Sequence, residues 1–143
     1  MTESLLFPAR VTHHFPRHRR SPGQARAVFR RWATAQDLSP ASIESGELVT
    51  GELAANAVLA TTGPGRRIEV RFTLDVGVLR IAVSDAGDGT PVVRSPRPLD
   101  EHGRGMVIVS MLADEWGVTV RPGPGKTVWA VWKVSGPDPL TGC

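Results

Sequence analysis

The chain is predicted to fold as an α+β two-layer sandwich, a mixed and mostly antiparallel sheet with helices on one face. Period-two hydrophobic alternation comes in pairs of segments joined by short turns, the mark of hairpins. The helical stretches are grouped, giving the order strand, two helices, two strands, one helix, two strands. The 143 residues, 41% hydrophobic, supply one core and leave no room for a second. A single domain is therefore expected over residues 1–134, with 135–143 as a frayed tail.

Residues 5–15 mix apolar and polar side chains and read as an edge strand weakened by Pro8. Ser21-Pro22-Gly23-Gln24 reads as a helix start, with a serine cap, proline in the first turn and glutamine three residues on. Ala25, Val28, Phe29 and Trp32 follow at helical spacing and leave arginines on the other face. Ser39-Pro40 opens a second helix to about Ala60, weakened by Gly46 and Gly51.

Gly63-Pro64-Gly65 makes a loop, and Ile68, Val70, Phe72 and Leu74 then alternate with polar residues as a strand with one wet face. Asp75-Val76-Gly77 turns into a second strand that ends at Asp85. Thr90 to His102, with Pro91, Pro96 and Pro98, has no periodicity and reads as a mobile loop. Gly105 to Ala113 reads as an apolar helix, and Trp116–Val120 with Thr127–Val134 as a closing hairpin. Both faces of the last strand are apolar, so the face the helices leave bare is expected to meet a partner, a second copy of the chain, or the N-terminal segment.

The formal charge of +3 is concentrated near the N-terminus, where Arg17, Arg19, Arg20, Arg26, Arg30 and Arg31 lie close to His13, His14 and His18. Such a run meets nucleic acid or an acidic protein, or is simply a solvated helix face. No interleaving of aromatic and basic residues supports a nucleic-acid groove. Cys143 is the only cysteine, which excludes an intramolecular disulfide and a cysteine metal cluster, and a cytoplasmic location is expected. No stretch approaches the ~20 apolar residues of a membrane span, and no signal-peptide pattern opens the chain.

Four places carry chemistry. Asp85 falls on the Leu79, Ile81, Val83 face of its strand, where a carboxylate needs a hydrogen-bonding partner. Gly87 and Gly89 follow and let a ligand approach the main chain, so the stretch reads as a recognition site for N–H donors, or as a plain turn. Glu52 and Asn56, four apart on the second helix, share a face beside the stripe of Val49, Leu53, Ala57 and Ala60. Together they can hold a hydrated Mg²⁺, the carboxylate can instead take a proton from a nucleophile, or they are an ordinary polar pair. Gly103-Arg104-Gly105 leads into a helix whose free N–H groups suit an anion. Thr127 opens the last strand and offers a hydroxyl to a ligand, although threonine also favours strands in general.

Three near-matches fail. Gly125-Lys126-Thr127 resembles the end of a P-loop, but the required first glycine would be Val120 and a strand follows. Gly103-Arg104-Gly105 lacks the third glycine of a dinucleotide fingerprint, with Ile108 in its place. A calcium loop starting at Asp85 would need glutamate where Pro96 stands.

Taken together, Glu-x-x-x-Asn on a helix, Asp-x-Gly-x-Gly at a strand end, Gly-x-Gly before a helix and Gly-x-Thr into a strand resemble the N box and the two G boxes of the GHKL superfamily. That superfamily includes gyrase, MutL and sensor histidine kinases, and the resemblance spans roughly Glu47 to Trp132. Gly103-Arg104-Gly105-Met106, the stretch Leu112 to Gly117 and Gly125-Lys126-Thr127-Val128-Trp129 look like the small anti-sigma factor serine/threonine kinases of actinobacteria.

The resemblance implies the Bergerat ATP-binding fold. It implies that Asp85 binds the adenine amino group, with Thr127 assisting through water. Asn56 would coordinate Mg²⁺ and Glu52 would be the general base for a serine hydroxyl. Gly87, Gly89, Gly103 and Gly105 would shape the pocket and its lid, and Arg104 would reach phosphate or a partner. The implied protein is an ATP-binding regulator, an anti-sigma factor that phosphorylates its antagonist, whose partners are a sigma factor and that antagonist. A homodimer is implied as well.

Length is expected to separate this chain from gyrase-like and MutL-like ATPases, which need a following transducer domain. Sensor kinases need a helical dimerisation segment bearing a phospho-accepting histidine, a role not expected of His13, His14 and His18, which lie in a Pro/Arg-rich stretch before the first helix. Relatives commonly carry a basic residue or histidine after the asparagine, where this chain has Ala57-Val58-Leu59-Ala60. An ATP-binding module that holds a partner without transferring phosphate is the alternative reading.

Overall fold

The chain runs β1 (Ala9–Pro16), α1 (Ser21–Ala35), α2 (Pro40–Ala60), β2 (Arg67–Asp75), β3 (Val78–Asp85), α3 (Glu101–Leu112), β4 (Glu115–Val120) and β5 (Lys126–Lys133). This is a computed structural model, and it describes residues 9–60, 67–85, 101–120 and 125–136. The expected loop Thr90 to His102 lies outside the described residues as far as position 100, as do Gly87 and Gly89, and its last two residues, Glu101 and His102, are helical instead.

The alternation in β2 and β3 sets the sheet. Val70 pairs with Val83 and Phe72 with Ile81, so the apolar residues of both strands share one face and are buried there. Val76 (φ 50°) and Gly77 (φ 73°) form the two-residue turn, a conformation whose twist suits a hairpin. β1 adds beside β2, and β5 and then β4 beside β3, giving the order β1-β2-β3-β5-β4. All four ladders are antiparallel, so the pairing expected to dominate accounts for every described ladder.

The helices cover one face of this sheet. Phe29 of α1 meets the edge of the Phe72 ring at 5.0 Å, and Trp32 stacks on Phe72 at 5.5 Å. Each such buried ring contributes about 2 kcal/mol through apolar burial alone. Gly46 and Gly51, which weaken α2 as a helix, are explained by its neighbour. A Cβ at Gly46 would run into the Phe29 ring, and one at Gly51 into the Arg26 side chain. The two glycines let α1 lie close against α2, and Arg30 is ion-paired to Glu47 across the same contact.

Three local expectations are corrected. Ser21 does not cap α1: Arg20 holds the cap position without a side-chain bond, and the Ser21 hydroxyl donates to the Pro16 carbonyl. A buried Ser21 is thereby tied to the end of β1 rather than to its own helix. α3 begins at Glu101, four residues before the expected start, so Gly103 and Arg104 lie inside its first turn. Ser135, assigned to a frayed tail, accepts a bond from Ser39 N–H at 3.0 Å and donates its own N–H to Ser42 Oγ at 3.3 Å. That pins the end of the sheet to the start of α2. Ser39 itself caps α2 as expected, accepting from Ser42 N–H at 3.1 Å.

The end of α1 relies on a residue the sequence did not flag. Asp37 sits at φ 59° while Leu38 N–H reaches the Ala33 carbonyl at 3.1 Å. This is the left-handed termination usually given to glycine, and Leu38 is buried beneath it.

Candidate functional site

Strand parity determines where each candidate side chain points. In β3, Leu79, Ile81 and Val83 face the helices, and Asp85 follows them inward and is 9% exposed. Among the described residues no hydrogen bond reaches its carboxylate. Its ionic partner there is Lys126, whose Nζ lies 3.8 Å from Asp85 Oδ2. On the other side the main chain of Gly125 presses against it. A Cβ at Gly125 would lie 2.5 Å from both the Asp85 carbonyl oxygen and Oδ1. A carboxylate this enclosed has to be compensated by hydrogen-bond donors or charge.

Glu52 and Asn56 stand on α2 with Gly51, Leu53, Ala54 and Ala57 buried around them. Glu52 leans on α3: Oε2 lies 2.7 Å from where a Cβ of Gly105 would be. The bare Gly105 thus makes room for the carboxylate against the second turn of α3. The structure therefore joins Glu52 to Gly105, and Asp85 to Gly125, on the helix-facing side of the sheet. Asn56 is half-buried on the same helix. The Arg104 side chain lies outside the described residues.

Thr127 is not brought to Asp85. It pairs with Ser84 across the ladder, and its Oγ1 lies 2.7 Å from Ser84 Oγ on the face away from the helices. The pair opens on a polar depression of about 260 Å³ in the sheet face away from the helices, flanked by Arg71, Arg80 and Thr119. Burial, and then the nearby Arg71 charge, lower the Arg80 pKa from the ordinary arginine value, and its guanidinium lies 5.8 Å from the Trp129 ring centroid. The residue that parity places with Asp85 is Lys126. Extending the inward series Trp132, Ala130, Val128 by one step would have found it.

Among the described residues no group of three or more His, Cys, Asp or Glu is placed to hold a metal ion. Mg²⁺ is held by few protein oxygens and completed by phosphates and water, and the carboxamide of Asn56 is of a ligand type it accepts. Among the same residues no helix is long and apolar enough to cross a membrane.

The family described as Histidine kinase-like ATPase domain matches residues 15–132. Among solved structures, the RsbU and RsbW domains of Rv1364c from Mycobacterium tuberculosis superpose with a TM-score of 0.66 at 18% identity. The match covers 92% of this chain and 33% of that one, so this chain spans about a third of its neighbour's length. No curated protein matches the sequence.

Proposed function

Because the chain belongs to the histidine kinase-like ATPase domain family, we propose that it is an ATP-binding anti-sigma factor with serine/threonine kinase activity toward an anti-sigma factor antagonist. The observation that carries the reading is the enclosed Asp85 carboxylate at a strand end, with bare main chain at Gly125 pressed against it. Such an acceptor suits the adenine amino group.

Glu52 takes the proton of the substrate serine as its oxygen bonds to the γ-phosphorus. The bond from that phosphorus to the bridging oxygen breaks and ADP leaves. Catalysis is chiefly positioning and electrostatics, as phosphoryl transfer requires. Packing against Gly105 is what fixes the direction of the Glu52 carboxylate. Asn56 would hold Mg²⁺, which supplies charge to the phosphates when bound. The partners are a sigma factor and its antagonist in the cytoplasm, and the bare sheet face is available to a second copy.

A phosphate-transfer assay with labelled ATP against the partner recovered by pull-down tests the reading. The expected result is phosphoserine or phosphothreonine on the antagonist with the wild type and none with Glu52→Ala. One observation favours the module without kinase activity: position 57 is a buried alanine, so no basic group follows Asn56. On that reading partner binding responds to ATP and no phosphoprotein forms.

A further inference from the structure

Lys126 is a charged side chain inside the recognition end of the site, and nothing in the reading above uses it. The β3–β5 ladder ends with Ser84 paired to Thr127, and one step beyond it strand parity sets Lys126 beside Asp85 on the helix-facing side. The 3.8 Å between Nζ and Oδ2 is too long for a hydrogen bond yet close enough for strong attraction. The Lys126 side chain is 38% exposed and that of Asp85 11%, so the carboxylate is enclosed and the ammonium stands at its rim. Gly125 closes the opposite side against Oδ1.

We propose that Lys126 and Asp85 form a donor–acceptor pair that reads the edge of a purine base and admits 6-oxopurine nucleotides as well as adenine nucleotides. The inference rests on the nucleotide-binding reading of this site.

An ionised carboxylate only accepts hydrogen bonds and an ammonium only donates them. Adenine presents an amino N–H beside the lone pair of N1. Guanine and hypoxanthine present the O6 carbonyl beside an N1–H. Each edge thus offers one donor and one acceptor side by side, in opposite order. A carboxylate alone satisfies adenine but sets its own lone pairs against O6, a mismatch that polar sites reject strongly. An ammonium on a flexible four-carbon stem rotates to whichever acceptor the base supplies. With Lys126 present, O6 gains a donor and N1–H is left for Asp85.

Titration calorimetry of the full chain with ATP, GTP and ITP, each with Mg²⁺, tests this. ITP lacks the 2-amino group of GTP, so parallel behaviour of the two places the effect at O6 and N1–H. The wild type is expected to bind all three within about tenfold. Lys126→Met is expected to weaken GTP and ITP by about 10- to 100-fold and ATP by much less, while Lys126→Arg, which keeps a donor, retains all three. Both variants preserve the aliphatic stem, and unchanged circular dichroism would show that they fold. A wild type that prefers ATP over GTP by more than about tenfold, or an ATP-to-GTP affinity ratio that shifts less than about threefold in Lys126→Met, overturns the proposal and leaves ATP binding standing. A wild type that binds none of the three overturns the nucleotide reading and this inference together.

Discussion

Replacing Gly125 by alanine should both loosen the fold and weaken nucleotide binding, and two other glycines separate the causes. Gly125 has φ 93°, and its added Cβ would meet the carbonyl oxygen and Oδ1 of Asp85 at 2.5 Å. Ordinary contact begins near 3.4 Å, so strand end and turn must part by about 0.9 Å. Gly77 has φ 73°, but among the described residues its Cβ would meet nothing closer than the Val134 carbonyl at 3.8 Å. Gly136 lacks a left-handed φ, and its Cβ would stand 3.7 Å from the Asp37 carbonyl.

Gly77→Ala therefore carries only the left-handed penalty, about 1–2 kcal/mol. Gly125→Ala carries that penalty and an overpacking cost of about 1–3 kcal/mol. Gly136→Ala should be neutral or slightly stabilising. At about 3 °C per kcal/mol for a chain of this length, the expected melting losses are roughly 3–6 °C for Gly77→Ala, 6–15 °C for Gly125→Ala and none for Gly136→Ala. ATP affinity should fall at least about tenfold in Gly125→Ala alone, because Gly77 lies at the far end of β3 from Asp85. Differential scanning calorimetry and ATP titration read the two effects. If Gly125→Ala melted and bound ATP as Gly77→Ala does, the contact between Gly125 and Asp85 would have no role in the site.

Glu52→Ala should lose about 10²–10⁴-fold in phosphate transfer while keeping ATP affinity, and normal transfer to the cognate partner would remove the base assignment. Gly105→Ala should displace the Glu52 carboxylate at little cost to the fold, since the atom met is the end of a flexible side chain. Transfer should then drop by about 10²-fold with an unchanged melting temperature, read from single-turnover assays beside thermal scans. Thr50 is fully buried, and its Oγ1 has no hydrogen-bond partner among the described residues. Thr50→Val should thus stabilise the chain by about 1 kcal/mol in urea titration, and a loss of stability would mean that the hydroxyl has an unseen partner.

The sheet was legible because alternation in β2 and β3 carries register and facing together, and because Asp75-Val76-Gly77 fits one tight turn. α2 was legible at Ser39-Pro40, where hydroxyl cap and proline agree. The errors share a cause, in that a residue suited to one local role is drawn to a distant partner. Ser21 has the chemistry of a cap but bonds back to Pro16. Gly103 was expected to lead into a helix but lies inside it, and Gly105 within that helix leaves space for Glu52. Thr127 fitted the motif by type, while strand parity sends it to Ser84 and puts Lys126 with Asp85. The inward placement of Asp85 was legible because it continues the Leu79, Ile81, Val83 alternation.

The bare positions on α2 have a consequence for how this sequence is able to drift. Gly46 is a mortise and the Phe29 ring its tenon; Gly51 stands in the same relation to Arg26. The Phe29 ring is fully buried, so neither half of that joint is free to vary alone, whereas Arg26 is exposed and its guanidinium can swing aside. Among descendants of this chain, a larger residue at 46 should arrive with a smaller one at 29, while growth at 51 asks only for a turn of the Arg26 side chain.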